Sequence, residues 1–236
     1  MDKTEETTVT KPVHLYLVRI SPPCRIVWLY MLQHDIPHQL IDVDFNQARP
    51  DLPDAIKGLP HLEVPIMIHR DNVVFEAPAI LQYLAREFTG HLGFGPGQQV
   101  RLLSESLVSW ACGELHRCIG YNYVYPQFLE RYALPDHEAN EAMVEFSLNR
   151  VTTLLETLEK RYLQKSPYLT GQRVTIADSA VATVLVQLQW PGFSFKLWPN
   201  VLTWLHRVEH VDFWDTVHQV HSDFLGELLK CRYKFE

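Results

Sequence analysis

The segment Ser21-Pro-Pro-Cys-Arg25 places a hydroxyl and a thiol three residues apart, directly after a short apolar run. A serine hydroxyl donates or accepts hydrogen bonds, and a cysteine becomes a nucleophile once its thiol ionises. Ser21 also fits the N-cap of a helix, because the two prolines after it occupy a first turn whose N–H groups need no partner. For Cys24, the apolar surroundings favour a buried, unreactive thiol. The pattern alone leaves both roles of Ser21 open.

Histidine pairs are the second group that could do chemistry. The chain has 12 histidines, and the spacings of His206/His210 and His218/His221 would let two imidazoles share a metal ion. No H-E-x-x-H motif occurs and no acidic third ligand has a fixed spacing, so we interpret these histidines as solvated or buried and expect no metal. The sequence also lacks Walker, G-x-G-x-x-G and G-x-S-x-G motifs, which leaves nucleotide-binding and hydrolase functions without support.

The elements that must position these residues alternate between strand and helix in the first part of the chain. Short apolar runs predict strands, and a broad apolar face with Gly or Pro at its ends predicts helices. Pro65 falls inside one predicted strand, which requires an edge position or an unusual peptide bond. The predicted order is strand 14–18, helix 23–34, strand 38–45, a short helix near 54–57, strands 64–68 and 72–75 joined by a tight turn, and helix 78–88.

The second part of the chain has only helical periodicity. Apolar residues recur every three or four positions from Val144 to Tyr162, as in an amphipathic helix. Thr175-Ile-Ala-Asp178 places a hydroxyl three residues before a carboxylate, which predicts a capping box. Further helices are predicted after Pro199 and over residues 217–229. The predicted organisation is a disordered tail at 1–12, an α/β domain at 13–90, a linker at 91–97 and an all-helical domain at 98–236.

Composition excludes several classes of protein. The 21 Lys and Arg against 28 Asp and Glu give a net charge of −7 without any basic run, so we expect no nucleic acid partner. The 47% hydrophobic content excludes a disordered chain, and the longest uncharged stretch, 179–195, is too interrupted to span a membrane. The four cysteines include no C-x-x-C motif, and the polar segment at the start of the chain is unlike a signal peptide. Both observations predict a cytoplasmic protein.

Four segments, in this order, resemble motifs of the cytosolic glutathione transferases. Ser21-Pro-Pro-Cys-Arg25 looks like the S-x-P-C-R signature of the theta class, and Leu62-Glu-Val-Pro65 looks like the family's V-P step, whose proline is cis. Phe75-Glu-Ala-Pro-Ala-Ile80 is similar to the E-S-x-A-I motif, and Thr175-Ile-Ala-Asp178 resembles the capping box of the C-terminal domain. The resemblance covers residues 13–229. It implies a thioredoxin-like α/β domain joined to an all-α domain.

The resemblance also implies that glutathione is the co-substrate and that its thiolate is the nucleophile. Ser21 would then donate a hydrogen bond to the thiolate at the N-terminus of the first helix. The backbone of Val64, before Pro65, would pair with the tripeptide like an added strand. Glu76 and Ala77 would hold its γ-glutamyl end.

Several positions depart from the theta-like pattern. Ala77 replaces a Ser or Thr whose hydroxyl binds the γ-glutamyl carboxylate, and one such charge-assisted hydrogen bond is worth about 1.5–3 kcal/mol. Glu63 stands where a lysine is usual, and therefore adds a repulsive charge toward an anionic tripeptide. Pro22 and Pro50 replace a glutamine and a histidine. Together these changes predict weakened glutathione binding.

Two further roles are implied by the resemblance. Glu105 would reach the γ-glutamyl ammonium across the interface of a homodimer, although a solvated helix face also explains an acid there. The second substrate, a small hydrophobic electrophile or ligand, would bind between the domains near Cys112, His116 and Tyr121. The chain ends soon after the last predicted helix, which predicts an open pocket.

Three functions therefore remain in view. The first is conjugation of glutathione to electrophilic small molecules, as in detoxification, with Ser21 stabilising the thiolate. The second is a non-catalytic, transferase-like binding or scaffold protein, which the altered contacts at Glu63 and Ala77 favour. The third is glutathione-independent isomerase or lyase chemistry in the same cleft.

Overall fold

The computed structural model describes residues 11–44, 52–60 and 63–232. Residues 1–10 of the predicted tail, Phe45, Pro50 and Leu62 lie outside the described residues. In chain order, the strands and α-helices are β1 (Val13–Leu17), α1 (Pro22–Gln33), β2 (His38–Asp42), α2 (Asp54–Lys57), β3 (Ile66–His69), β4 (Asn72–Phe75), α3 (Ala77–Leu84), α4 (Gly97–Trp110), α5 (Tyr125–Phe128), α6 (His137–Thr157), α7 (Ile176–Leu185), α8 (Pro199–Val208) and α9 (Trp214–Arg232).

The first part of the chain forms a four-stranded sheet in the order β2-β1-β3-β4. β1 and β2 are parallel, while β1–β3 and β3–β4 are antiparallel. Leu15 and Leu17 are fully buried because β1 is a central strand, and α1 packs against α3 beside the sheet. This arrangement, followed by helices, confirms the predicted fold class.

The conflict between Pro65 and the predicted strand is resolved by the conformation of the peptide bond before Pro65. The Val64–Pro65 bond is cis, and β3 begins only at Ile66, so the proline occupies no ladder position. β3 lies between β1 and β4, which makes the edge-strand alternative wrong. The tight turn after β3 is confirmed, and Arg70 in that turn has a φ of 56°. The cis peptide therefore lies directly before β3, one of the two central strands of the sheet.

The second part of the chain is helical, as predicted, but its helices are less regular than the periodicity indicates. α4 continues into the wider π-helical turns Ala111–Leu115 and Arg117–Val124, and α6 continues into the π-helical turns Leu158–Tyr162. Thr175 and Asp178 form the predicted capping box at the start of α7. π-helical turns shift the direction of the side chains around them, and they are frequent at functional sites.

The two parts share one hydrophobic core. α1 packs against α7 and α9, and every residue of α7 is buried. α1 is itself buried on nearly all sides from Cys24 to Met31. Across the described ranges, no helix combines the length and the apolar character needed to cross a bilayer. The start of α1 is therefore fixed against both parts of the chain.

Candidate active site

Ser21 lies between β1 and α1 as the N-cap of α1, with φ −68° and ψ 124°. Its N–H donates to the Val18 carbonyl at 2.9 Å, and its carbonyl accepts from the N–H of Arg25 at 3.0 Å. The hydroxyl makes no capping hydrogen bond. One of the two usual N–H partners of a cap belongs to residue 23, and Pro23 has none. The N-cap position is therefore confirmed, while the side chain faces a cavity instead.

Cys24 is fully buried one turn into α1. Burial raises the pKa of its thiol to about 11, which outweighs the opposing effects of hydrogen bonds from Val18 and Ser21 and of the Arg25 charge. A thiol with that pKa stays protonated at neutral pH and is a poor nucleophile. The prediction of a buried, unreactive Cys24 is confirmed.

A cavity of about 110 Å³ opens beside Ser21. The residues that line it come from the start of α1, the cis peptide, the start of α3 and the π-helical turns after α4. They are Ser21, Pro23, Glu63, Val64, Pro65, Glu76, Ala77, Cys112, His116 and Tyr121. The structure thus brings nine of the ten predicted site residues around one small space.

The far wall of this small cavity is the N-terminus of α3. Glu76 is the N-cap and has a φ of 66°, a strained backbone conformation for a residue with a side chain. Ala77 is 2% exposed, and Pro78 follows it in the first turn. The unpaired N–H groups and the dipole of a helix N-terminus attract anions. This end of the cavity therefore suits a carboxylate, even without the hydroxyl that Ala77 lacks.

Cys112 and Tyr121 lie in the two π-helical segments that follow α4, and His116 lies between these segments. Burial, and then the nearby charge of Glu76, raise the pKa of the Cys112 thiol to about 12, so this second cysteine also stays protonated. Burial lowers the pKa of His116 to about 4, with the positive charge of Arg25 acting in the same direction. Tyr121 is 41% exposed and forms the open side of the wall.

His116 has a polar partner that the sequence did not single out. Its Nε2 lies 3.1 Å from the hydroxyl of Tyr125, in a buried position. Burial raises the pKa of Tyr125, so its hydroxyl keeps its proton, and either the hydroxyl or Nε2 donates the hydrogen bond, depending on the tautomer of the imidazole. Both side chains are therefore held uncharged at neutral pH.

A second, larger cavity of about 310 Å³ adjoins the small one, and Ser21, Glu63, Val64, His116 and Tyr121 line both. Its walls are rich in aromatic rings. The centroids of Tyr121, Tyr125 and Tyr132 lie 5.3–5.5 Å from one another, and Trp190 lies 5.6 Å from Tyr125. Such tilted and edge-to-face contacts hold aromatic side chains in fixed orientations. The cavity therefore suits a small, flat, apolar molecule.

Several residues of the larger cavity were missed by the sequence analysis. Arg131 stacks over the ring of Tyr132 at 4.8 Å, and Leu129, Tyr132 and Trp190 line the wall. Trp190 lies some sixty residues beyond the others in the chain, and no periodicity relates them. The aromatic run around Tyr125 was the one available signal.

Glu105 stands apart from the other predicted site residues. It lies half-buried on α4 and lines neither cavity. Its predicted contact crosses to a second subunit, so a role within one chain does not follow from its position. Pro22 is buried in the first turn of α1, and Pro50 lies outside the described residues.

The predicted histidine pairs lie elsewhere. His210, His218 and His221 line a cavity of about 610 Å³ beside α9, and none of the ten predicted site residues lines it. His218 and His221 are buried, in line with the interpretation as core histidines. Within the described ranges, no cluster of three or more His, Cys, Asp or Glu is arranged to hold a metal ion.

Comparison with known families supports the fold and the order of the motifs. Residues 15–91 match the family model of the glutathione S-transferase N-terminal domain, and residues 124–212 match that of the glutathione S-transferase C-terminal domain. The chain is 28% identical to human glutathione S-transferase theta-1 over 90% of this chain and 89% of that protein. It is 29% identical to the bovine theta-1 protein over 84% of this chain and 82% of the relative.

Solved structures give the same result. The apo form of human glutathione-S-transferase T1-1 superposes with a TM-score of 0.73 at 28% identity, covering 88% of each chain. Poplar glutathione transferase F1 has a TM-score of 0.75 at 18% identity over 90% of this chain, which is a likeness of fold alone. Both parts of the chain therefore have counterparts in a single family.

Proposed function

This chain belongs to the glutathione S-transferase family, with theta-like relatives, and we propose that it conjugates glutathione to small hydrophobic electrophiles. In this proposal the nucleophile is the glutathione thiolate, stabilised by the Ser21 hydroxyl. One observation carries the proposal: Ser21, the cis Val64–Pro65 peptide and the N-terminus of α3 meet at one small cavity that adjoins an aromatic one.

The binding of glutathione would rest mainly on the backbone. Glutathione is an extended tripeptide, so its central amide can pair with the Val64 backbone as an added strand does. Its γ-glutamyl carboxylate fits the N-terminus of α3 at Ala77. Such contacts need no particular side chain, and they therefore survive the replacement of the usual hydroxyl by Ala77.

The chemistry follows from the way the two cavities adjoin. The thiol beside Ser21 gives its proton to solvent, and the hydroxyl donates a hydrogen bond to the resulting thiolate. The sulfur then forms a bond to the electrophilic carbon in the aromatic cavity. Either a leaving group departs with its bonding electrons, or a double bond accepts the electron pair and then a proton. His116 and Tyr121, which line both cavities, flank the place where this bond forms.

A homodimer and a cytoplasmic location complete the proposal. Glu105 on α4 lies outside both cavities of its own chain, which agrees with a role toward a second subunit. Sedimentation at micromolar concentration would give about twice the 27.5 kDa chain mass if the homodimer forms. A single-chain mass would contradict it. Conjugation makes an apolar molecule more soluble, as expected for detoxification.

A non-catalytic binding protein is the second candidate, and one observation favours it. Glu63 lines both cavities and repels an anionic tripeptide. Calorimetric titration of the protein with glutathione at up to several millimolar separates the two candidates. Measurable binding, followed by turnover with a panel of electrophiles, is the expected result. No heat and no rise in melting temperature would overturn the proposed conjugation and favour the binding protein.

Replacing Ser21 with Ala tests the role of the hydroxyl directly. We expect kcat/KM to fall 10- to 100-fold, because a hydrogen bond to a charged group is worth about 1.5–3 kcal/mol. The melting temperature should change little, since the hydroxyl makes no capping bond and its contact with Cys24 is to a protonated thiol, a weak hydrogen-bond partner. Ser109→Ala, at an exposed site on α4, is the matched control. Unchanged turnover in Ser21→Ala would remove Ser21 from the mechanism.

A further inference from the structure

Arg25 is an unusual residue for the first turn of a helix that is buried on nearly all sides. Its side chain is 0% exposed. None of its three guanidinium nitrogens has a hydrogen-bond partner among the described residues. It forms none of the ion pairs found in the described part of the chain. A whole positive charge is therefore enclosed in the core without a counter-charge.

The groups around Arg25 are polar but neutral. His116 and Tyr125 approach it from the segment after α4, and His218 and His221 approach it from α9. Burial is the main cause of the low pKa values of the three histidines, and the Arg25 charge adds to it. None of them carries a negative charge that would offset the guanidinium.

The buried carboxylate of this core is engaged elsewhere. Asp178 accepts hydrogen bonds from Leu169, Thr175 and Trp204, which account for both of its oxygens. From α1 itself, the titratable neighbour of Arg25 is the thiol of Cys24, which burial keeps protonated. The positive charge of Arg25 is thus unscreened by any described group.

Such an arrangement is costly for folding. An unpaired charge in a protein interior is destabilising, and replacing buried charged groups by apolar ones of similar size is often neutral or stabilising. An apolar side chain such as Met would suit the core of α1 better. Arg25 therefore does not improve the packing, and its charge requires another explanation.

The direction in which the charge acts supplies that explanation. Arg25 and Ser21 are joined through the first turn of α1 by the 3.0 Å hydrogen bond between their backbones. The charge favours the ionised forms of Cys24, one turn into α1, and of Tyr125, which lines the larger cavity. In a medium of low dielectric constant, and without counter-ions, a charge acts over longer distances than it does in water. The same charge acts on His116, which lines both cavities with Ser21, so an anion held at Ser21 would lie within its field.

We propose that Arg25 is a positioning residue whose enclosed charge holds the thiolate of bound glutathione at Ser21. The inference rests on the proposed function, because it requires glutathione to bind in the small cavity. Ser21 supplies a hydrogen bond to the sulfur, whereas Arg25 acts through space and touches no substrate. The proton released by the thiol goes to solvent, and no other group changes its charge.

The test is the ionisation of bound glutathione, followed by the ultraviolet absorbance of the thiolate as the pH is varied. In Arg25→Met, at a pH below both ionisation midpoints, we expect glutathione to bind within about twofold of the wild type, since the arginine touches no substrate and the bound thiol is uncharged there. The midpoint of ionisation should rise by on the order of one pH unit, as for loss of a nearby opposite charge. At a pH below the midpoint kcat should fall about tenfold, and raising the pH should restore it.

Two further variants separate charge from packing. Arg25→Gln is polar but uncharged and should raise the midpoint as Arg25→Met does, because the effect follows the charge of the side chain and not its polarity. Arg161→Met removes an equal charge from an exposed site, where solvent screens it, and should change nothing. The melting temperature of Arg25→Met should equal or exceed that of the wild type. Failure of both Arg25→Met and Arg25→Gln to fold would overturn the inference, because it would make the arginine necessary for packing.

The remaining outcomes each support or overturn the inference, the proposed function or both. A wild type that binds glutathione, together with an Arg25→Met variant that has the same ionisation midpoint, overturns the inference and leaves the proposed function intact. A wild type that binds no glutathione overturns the proposed function, and the inference fails with it. A raised midpoint in both Arg25→Met and Arg25→Gln, with an unchanged midpoint in Arg161→Met, supports both.

Discussion

Asp178 and Arg25 are two fully buried charged residues on helices that pack against each other, and the fold treats them in opposite ways. Asp178 receives backbone N–H groups from Leu169 and Thr175 at 2.8 Å and the indole N–H of Trp204 at 2.9 Å. The guanidinium of Arg25 has no hydrogen-bond partner among the described residues.

This contrast distinguishes a buried charge that stabilises the fold through hydrogen bonds from a buried charge whose surroundings suit a functional role. The bonds of Asp178 tie the start of α7 to the preceding loop and to α8, so this carboxylate organises the helical part of the chain. The guanidinium of Arg25 makes no such hydrogen bonds with the described residues, and Arg25 lies one turn from Ser21. A buried charge without partners is thus an observation that points to a site, whereas a fully bonded one points to folding.

The largest expected effect is a loss of stability in acid, and it arises from the buried histidines around Arg25. The pKa of His116 is lowered to about 4 and that of His221 to about 3, chiefly by burial. The pKa of His218 is also well below its usual value, for the same reason. An unfolded chain binds protons at these histidines below pH 6.5, while the folded chain does not.

Stability should therefore fall as the pH drops from 6.5 toward 4, by about 2 kcal/mol at pH 5 for each of His116 and His221, and the lowered pKa of His218 adds a loss in the same direction. Asp178 has the opposite sign, since burial raises its pKa and the folded state binds its proton more readily. Urea unfolding followed by tryptophan fluorescence at several pH values measures the slope. His218→Phe should reduce the slope, while the exposed His206→Phe should not. Equal stability at pH 7 and pH 5 would contradict the assignment of neutral histidines.

The next effect tests the Asp178 side. Asp178→Ala leaves two buried backbone N–H groups and the Trp204 indole without an acceptor, and each buried unsatisfied donor costs about 1–3 kcal/mol. We expect the free energy of unfolding to fall by about 3 kcal/mol, measured by urea unfolding at pH 7. Asp223→Ala, an exposed residue of α9 that bonds only Gln219, should change stability by less than about 0.5 kcal/mol. A loss below 1 kcal/mol in Asp178→Ala would mean that these bonds add little to folding.

The comparison also explains what the sequence could predict. Thr175 and Asp178 were recognisable as a capping box because both groups belong to one turn, whereas the conflict of Pro65 with a strand left an edge position and an unusual peptide bond open, and the family resemblance implied the cis bond. The order of strands and helices followed from local signals, while the residues of the small cavity followed from the resemblance. Ser21, Glu76 and Ala77 lie at helix starts, which sequence patterns mark well.

Features set by packing between distant segments were not predictable in this way. Nothing local marks the π-helical turns that carry Cys112 and Tyr121, because a π turn arises when one extra residue is accommodated within a packed helix. The isolation of Arg25 depends on α7 and α9, more than 150 residues away in the chain. One signal was available: an arginine between Cys24 and Ile26, in a helix with apolar residues on nearly all sides, has no solvated face to occupy.

Glu63 is a third charged residue that can be compared with Asp178 and Arg25. It is exposed, lies on the wall of the small cavity and carries the same sign of charge as an anionic ligand. We expect Glu63→Lys to tighten glutathione binding by up to about tenfold, a modest effect because solvent screens exposed charges. Calorimetric titration at two salt concentrations checks it, with Glu138→Lys on α6 as the control for net charge. The gain should shrink in high salt, whereas the effect of Arg25→Met on the thiolate should persist, because Arg25 is enclosed in the core. Equal salt dependence of the two effects would mean that solvent reaches Arg25, and the contrast between buried and exposed charges at this site would be lost.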